Sequence, residues 1–135
     1  MRMGTVRRLH RIRVLVAGHD RRFTSVIAFL LSRSGFDVDR TREPGDVLDL
    51  IERRGVDVVI LDGTRSLGTA ARLVAAVESV HPHVGVVLVA ERRSIARPSG
   101  LRVLPKWGTF ERLVDEVEGA YMAARRPGAV APRAH

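Results

Sequence analysis

Val56-Asp57-Val58-Val59-Ile60-Leu61-Asp62-Gly63 decides the fold. Val58 to Leu61 are aliphatic without interruption, and they run into a carboxylate and then a glycine. The run does not alternate apolar with polar, so residues 56–62 read as a strand buried on both faces, as in a parallel sheet. Asp62 then stands where that strand emerges at its carboxyl end. In open α/β sheets this is the edge where ligands bind and chemistry is done.

Working outward, Arg13-Val14-Leu15-Val16-Ala17 is a short apolar strand that ends at Gly18-His19-Asp20. Asp20 is suited to cap a helix through about Ser34. Phe23, Val26, Ile27, Leu30 and Leu31 give that helix a core face, and Gly35 stops it. Residues 36–40 alternate apolar and polar, which fits a strand near a sheet edge. A second helix opens at Glu43-Pro44 and closes at Gly55, with Val47, Leu50 and Ile51 inward. Residues 63–68 are a loop. A third helix spans Thr69 to Val80, with Leu73, Val74, Val77 and Val80 inward, and His81-Pro82 ends it. Val84 to Ala90 is a second continuous apolar strand. Residues 91–100 are arginine-rich and support at most a short helix. Leu101 to Leu104 is a fifth strand leading into Pro105-Lys106. Thr109 caps a last helix with Phe110, Leu113, Val114, Val117 and Tyr121 facing in. Strict alternation of strand and helix implies an α/β fold: a doubly wound, five-stranded parallel sheet with helices on both faces. Right-handed crossovers limit the topologies to a few, of which the order 2-1-3-4-5 fits a domain this small. Its switch point lies between Gly18-His19-Asp20 and Asp62-Gly63-Thr64.

A chain of 135 residues makes one domain with one hydrophobic core. The net charge of +8 sits at the ends: Arg2, Arg7, Arg8, Arg11 and Arg13 without an acid in residues 1–13, and Arg125, Arg126 and Arg133 without an acid in residues 121–135. The intervening domain is formally neutral. These ends read as a disordered basic leader, 1–11, and a disordered tail, 125–135, around a folded unit, 12–124. The alternative is that the arginine tails attract nucleic acid, although only Tyr121 offers a ring for base stacking and it belongs to the last helix. There is no cysteine, hence no disulfide framework and no thiolate site. No apolar run reaches membrane-spanning length and no signal-peptide core is present, which points by default to the cytoplasm and to no membrane partner.

Nothing matches a phosphate-cradling glycine loop, a nucleophile elbow or a zinc-protease motif. In His81-Pro82-His83 the proline prevents the helical geometry of a metal-ligand pair, and a helix-ending turn explains it better. His19, Asp20 and Asp62 at the switch point are the better-placed metal cluster, with a helix-cap role competing for Asp20. Asp62 with Lys106 is the strongest pair, since both lie at carboxyl ends of predicted strands. Lys106 is the one lysine among 23 basic residues, and a compact ammonium is not interchangeable with a guanidinium. The pair is either an ion pair closing the top of the sheet, or a nucleophilic carboxylate with a cation for charge on a transferred group.

In element order, in Val58-Val59-Ile60-Leu61-Asp62 and in Val103-Leu104-Pro105-Lys106, the chain resembles the receiver domain of two-component response regulators, a flavodoxin-like family. Arg13 to Ala17, Ser34 to Val38 and Val86 to Glu91 also fall in the family's expected places, and the resemblance covers residues 12 to about 124. It implies that Asp62 is the phosphoacceptor, forming 4-aspartylphosphate from a phosphohistidine donor, and that Lys106 contacts the phosphoryl group. It further implies Mg²⁺ as cofactor, a histidine kinase or output protein as partner, and a homodimer as one possible assembly. The departures are specific. The Mg²⁺-binding acidic pair falls on Gly18 and His19; Asp20, a substitute ligand one place on, is expected to point elsewhere. The switch hydroxyl falls on Val89 and the switch aromatic on Val103, while Trp107 and Ser66 replace family prolines. Mg²⁺ should therefore bind weakly, phosphoryl transfer should slow, and the usual readout relay is missing. Two readings follow from the resemblance: an atypical receiver-like signalling domain, not an enzyme, in a phosphorelay, or a phosphorylation-independent protein-interaction module.

Overall fold

The computed structural model describes residues 11–91 and 102–126. The expected leader over 1–10, the tail beyond 126 and the short helix expected within 91–100 lie outside the described residues, apart from Glu91. Strands β1 (Arg13–Ala17), β2 (Asp37–Thr41), β3 (Val58–Asp62), β4 (Gly85–Ala90) and β5 (Leu104–Pro105) alternate with helices α1 (Arg21–Arg33), α2 (Val47–Arg54), α3 (Leu67–Val80) and α4 (Phe110–Arg125); a 3₁₀ turn, Pro44–Asp46, leads into α2. All strands pair in parallel, in the order β2-β1-β3-β4-β5. This is the expected topology.

The sheet divides the core in two. Val14, Val16, Val58, Ile60, Val87 and Val89 pack under α1 and α4 with Phe23, Ile27, Leu31, Leu113 and Val117. Leu15, Ala17, Val59, Leu61 and Leu88 face α2 and α3 with Val47, Ile51, Ala70 and Val77. Alternate residues of one strand thus serve opposite faces, which is why β3 has no polar interruption before Asp62.

Several boundaries differ from expectation. α3 begins at Leu67, not Thr69, because the Ser66 hydroxyl accepts the Thr69 amide and supplies the cap. β5 is short and lies later than expected, and Lys106 continues its ladder by donating its amide to the Ala90 carbonyl at 2.8 Å. Val26 and Val80, expected inward, are exposed. Arg125, counted with the tail by sequence, is the last residue of α4. It pairs with the buried Asp57 at 2.5 Å, and Asp57 also accepts the Arg13 amide. The pair ties α4 to the amino-terminal edge of the sheet. Among the described residues no helix is long and apolar enough to cross a membrane.

Gly85 sets how closely α4 approaches β4, since a Cβ there would stand 2.6 Å from the Ala120 carbonyl oxygen. Gly85→Ala should therefore destabilise by about 1–3 kcal/mol, read as a lower denaturation midpoint with an unchanged slope.

Candidate functional site

The carboxyl ends of β1, β3 and β5 converge on one buried ammonium. Lys106 Nζ lies 2.8 Å from Asp62 Oδ2 and 2.8 Å from Asp20 Oδ2. The Lys106 side chain is 2 % exposed, that of Asp62 4 %, and that of Asp20 37 %. Asp20 was expected to point away. Instead it serves two elements at once: Oδ1 accepts the Phe23 amide at 3.1 Å as the α1 cap, leaving Oδ2 for the lysine. The cap fixes Phe23 in the first turn of α1. Its ring centroid lies 5.1 Å from the Lys106 ammonium, and Trp107 meets it edge-on at 5.3 Å.

The other oxygen of Asp62 is also engaged. Oδ1 accepts the Thr64 amide at 3.0 Å and the Thr64 hydroxyl at 2.6 Å, and that hydroxyl accepts the Glu91 amide at 3.0 Å. Thr64 was not singled out in the sequence. The available signal was Asp-Gly-Thr at a strand end, since an aspartate there commonly bonds the backbone two residues on. Three donors now occupy a carboxylate with about four lone-pair sites.

The remaining predicted positions complete the picture. Gly18 is buried against Asp62: a Cβ at 18 would stand 2.8 Å from Asp62 Cβ. His19 is exposed at the same edge. Val89 pairs with Asp62 in the sheet register, its carbonyl accepts the Gly63 amide at 2.7 Å, and its side chain is buried in the core. Val103 packs partly buried against the α2–α3 side of the core. The hydroxyl nearest Asp62 in the described structure thus comes from the β3–α3 loop, whereas the sequence reading looked for one at the end of β4.

These donors do not fit Mg²⁺, which takes an oxygen-rich, near-octahedral shell. Gly18 offers no ligand and His19 only an imidazole. The oxygens of Asp20 and Asp62 already hold an ammonium, two amides and a hydroxyl. Among the described residues, no group of three or more metal-ligating side chains is assembled.

The electrostatics agree with a paired, charged cluster. The hydrogen bond from Lys106, then that from the Phe23 amide, holds the Asp20 carboxyl below its ordinary value of 3.8. Burial pulls Lys106 down, but hydrogen bonds to Asp20 and Asp62 and their charges outweigh it and raise the amine above 10.5. A depressed acid stabilises the fold above its unfolded pKa, and the contribution fades as pH falls through the folded one. A raised base does the reverse on the alkaline side. The contribution of Asp20 and Lys106 is therefore full between about 4 and 10 and declines outside that window.

Neither the family models nor the curated proteins contain a match to this chain. Solved structures do match. They include a response regulator from Thermotoga maritima (14 % identity, TM-score 0.69, covering 83 % of this chain and 98 % of that one). They also include the signal receiver domain of an HD domain-containing protein from Pseudomonas fluorescens Pf-5 (18 %, 0.71, 85 % and 98 %), and a sensor protein from Polaromonas sp. JS666 (18 %, 0.69, 84 % and 98 %). The fold is that of a response-regulator receiver domain. At these identities the receiver likeness is one of architecture, and the chemistry of the receiver site rests on the residues present in this chain.

Removing the ammonium leaves a buried carboxylate uncompensated. Lys106→Met should cost about 3–5 kcal/mol near neutral pH. Adding Asp62→Asn should recover part of it, giving a favourable interaction term in a double-mutant cycle by denaturant titration. Additive losses would show that the pair is not coupled.

Proposed function

We propose that this chain is a receiver-fold signalling module of the two-component type that acts through protein contact without accepting a phosphoryl group, and that it has no enzyme activity of its own. The observation that carries this reading is that both oxygens of Asp62 are already engaged. Lys106 holds one oxygen and Thr64 the other. Attack on a phosphoryl donor requires a free carboxylate oxygen and enough positive charge around the transferred group. Here the nucleophile already holds three hydrogen-bond donors, which draw on the electron pairs that would attack. A single ammonium, already shared with Asp20, is the cation held at Asp62 among the described residues. Gly18 lies so close to Asp62 that a carboxylate cannot be regained there without displacing one or the other.

The retained receiver fold supports a protein partner from the same signalling class, a histidine kinase or an output protein, and leaves open pairing with a second copy. Trp107 supports a contact surface at this edge: it is half exposed while its ring edge rests on Phe23 beside the buried lysine. A rigid aromatic anchor of this kind is common in protein interfaces.

Incubation of the full chain with acetyl phosphate and Mg²⁺, followed by intact mass measurement, tests the reading. The expected result is no phospho-adduct. An adduct that is absent from Asp62→Ala would contradict it and restore Asp62 as a phosphoacceptor.

A further inference from the structure

A cleft of about 200 Å³ opens between the ends of β1 and β3, and Asp62 forms part of its wall. Its apolar lining comes from Ala17, Leu61, Ala70 and Leu73, of which the first three are buried. Gly18, a further wall, contributes no side chain. Arg65, His19, Ser66 and Thr69 supply the rest of its polar lining beside Asp62. The position is the switch point of the sheet, where ligands of open α/β folds bind.

Charge narrows the ligand class. The Asp62 carboxylate is turned to Lys106 and Thr64, which hold its oxygens. Arg65 makes no ion pair or hydrogen bond with the described residues, so its guanidinium is the unmatched charge of the lining. Aliphatic walls under one free guanidinium suit an apolar body carrying one anionic group, which the arginine can bind with two parallel hydrogen bonds. They suit inorganic phosphate less well: the Ser66 hydroxyl is spent on Thr69, and most of the remaining wall is carbon, which would leave phosphate oxygens without donors. An apolar cavity of about 150 Å³ holds a benzene ring. The cleft is therefore the size for a single-ring or short-chain acid.

We infer that this cleft binds a small organic acid, with its carboxylate on Arg65 and its apolar body on Ala17, Leu61, Ala70 and Leu73. The inference rests on the reading that Asp62 is held in its ion pair and does not take a phosphoryl group. It also supplies a means of readout. Arg65 directly follows Thr64, whose hydroxyl joins the Asp62 carboxylate to the Glu91 amide at the end of β4. A ligand that draws on Arg65 acts on this tie, so occupancy of the cleft is felt at Glu91.

The test is a two-dimensional amide NMR titration of the full chain with benzoate, with benzylamine as the same ring carrying the opposite charge, and with inorganic phosphate. Benzoate should saturably shift the amides of Gly18, Gly63, Ala70 and Glu91, and benzylamine and phosphate should not. Arg65→Gln should weaken benzoate about tenfold. Ala70→Leu should abolish binding by filling the cleft, with Leu73→Phe as the alternative should the first variant not fold. Thr64→Val should keep the affinity and lose the response at Glu91. No saturable shift with benzoate, equal shifts with benzylamine or phosphate, or unchanged benzoate affinity in Arg65→Gln would each overturn the inference. The titrations contain neither Mg²⁺ nor a phosphodonor. Their failure therefore counts against the cleft alone, whereas a phospho-adduct on Asp62 counts against the preceding reading.

Discussion

One buried ammonium holds the carboxyl edge of this sheet together. Lys106 is delivered by β5, and it meets one carboxylate from the β1–α1 junction and another from the end of β3. A lysine this deeply buried is costly unless its charge is matched and its protons are bonded. The three strand ends therefore converge as a unit. Asp20 can serve the lysine because its cap needs only one oxygen. The same cap fixes Phe23 under the ammonium, and Trp107 closes over Phe23 from the β5 side. Asp62 can point at the lysine because Gly18 leaves room for its Cβ. Two local oddities of the sequence at this edge, a glycine where an acid was sought and one lysine among arginines, have a counterpart in this arrangement, while His19 is exposed beside it.

Much of this was legible in the sequence, and the exceptions have physical reasons. Val58 to Leu61 announced a doubly buried strand, and the alternation of strand and helix left a few topologies, of which the order that fits so small a domain is the one observed. The pairing of Asp62 with Lys106 followed from their places at strand ends. The orientation of Asp20 did not, because its lysine partner lies 86 residues away and a cap signal says nothing about the second oxygen. Thr64 was hidden for a related reason: its amide contact with Asp62 is local, but its hydroxyl also reaches Glu91, 27 residues on. Val26 and Val80 fit a helical repeat and were read as core, yet that repeat defines a stripe wider than the surface the sheet can cover. The start of α3 was misplaced because Gly68 reads as loop, while Ser66 caps the helix just before it.

The chain thus combines a receiver architecture with a site whose one ammonium is shared by two carboxylates. In a phosphoacceptor site the carboxylate must be available and a cation must await the incoming group. Here the cation is covalently part of the chain, and it is already occupied. Such a site favours stability and a fixed surface over a switch driven by phosphoryl transfer, because a switch needs an element with two arrangements for the modification to bias.

The central claim is that Lys106 holds the carboxylates of Asp20 and Asp62 at this edge and that they do not assemble a Mg²⁺ site. Trp107 is the chain's only tryptophan and packs on Phe23 beside that lysine, so its fluorescence reports directly on the site. Titration of the full chain with Mg²⁺ should leave Trp107 emission without a saturable change into the millimolar range, in the wild type and in Asp62→Asn alike. A saturable change in the wild type that is lost in Asp62→Asn would contradict the account, since it would place a divalent cation on the carboxylate that the lysine is held to occupy.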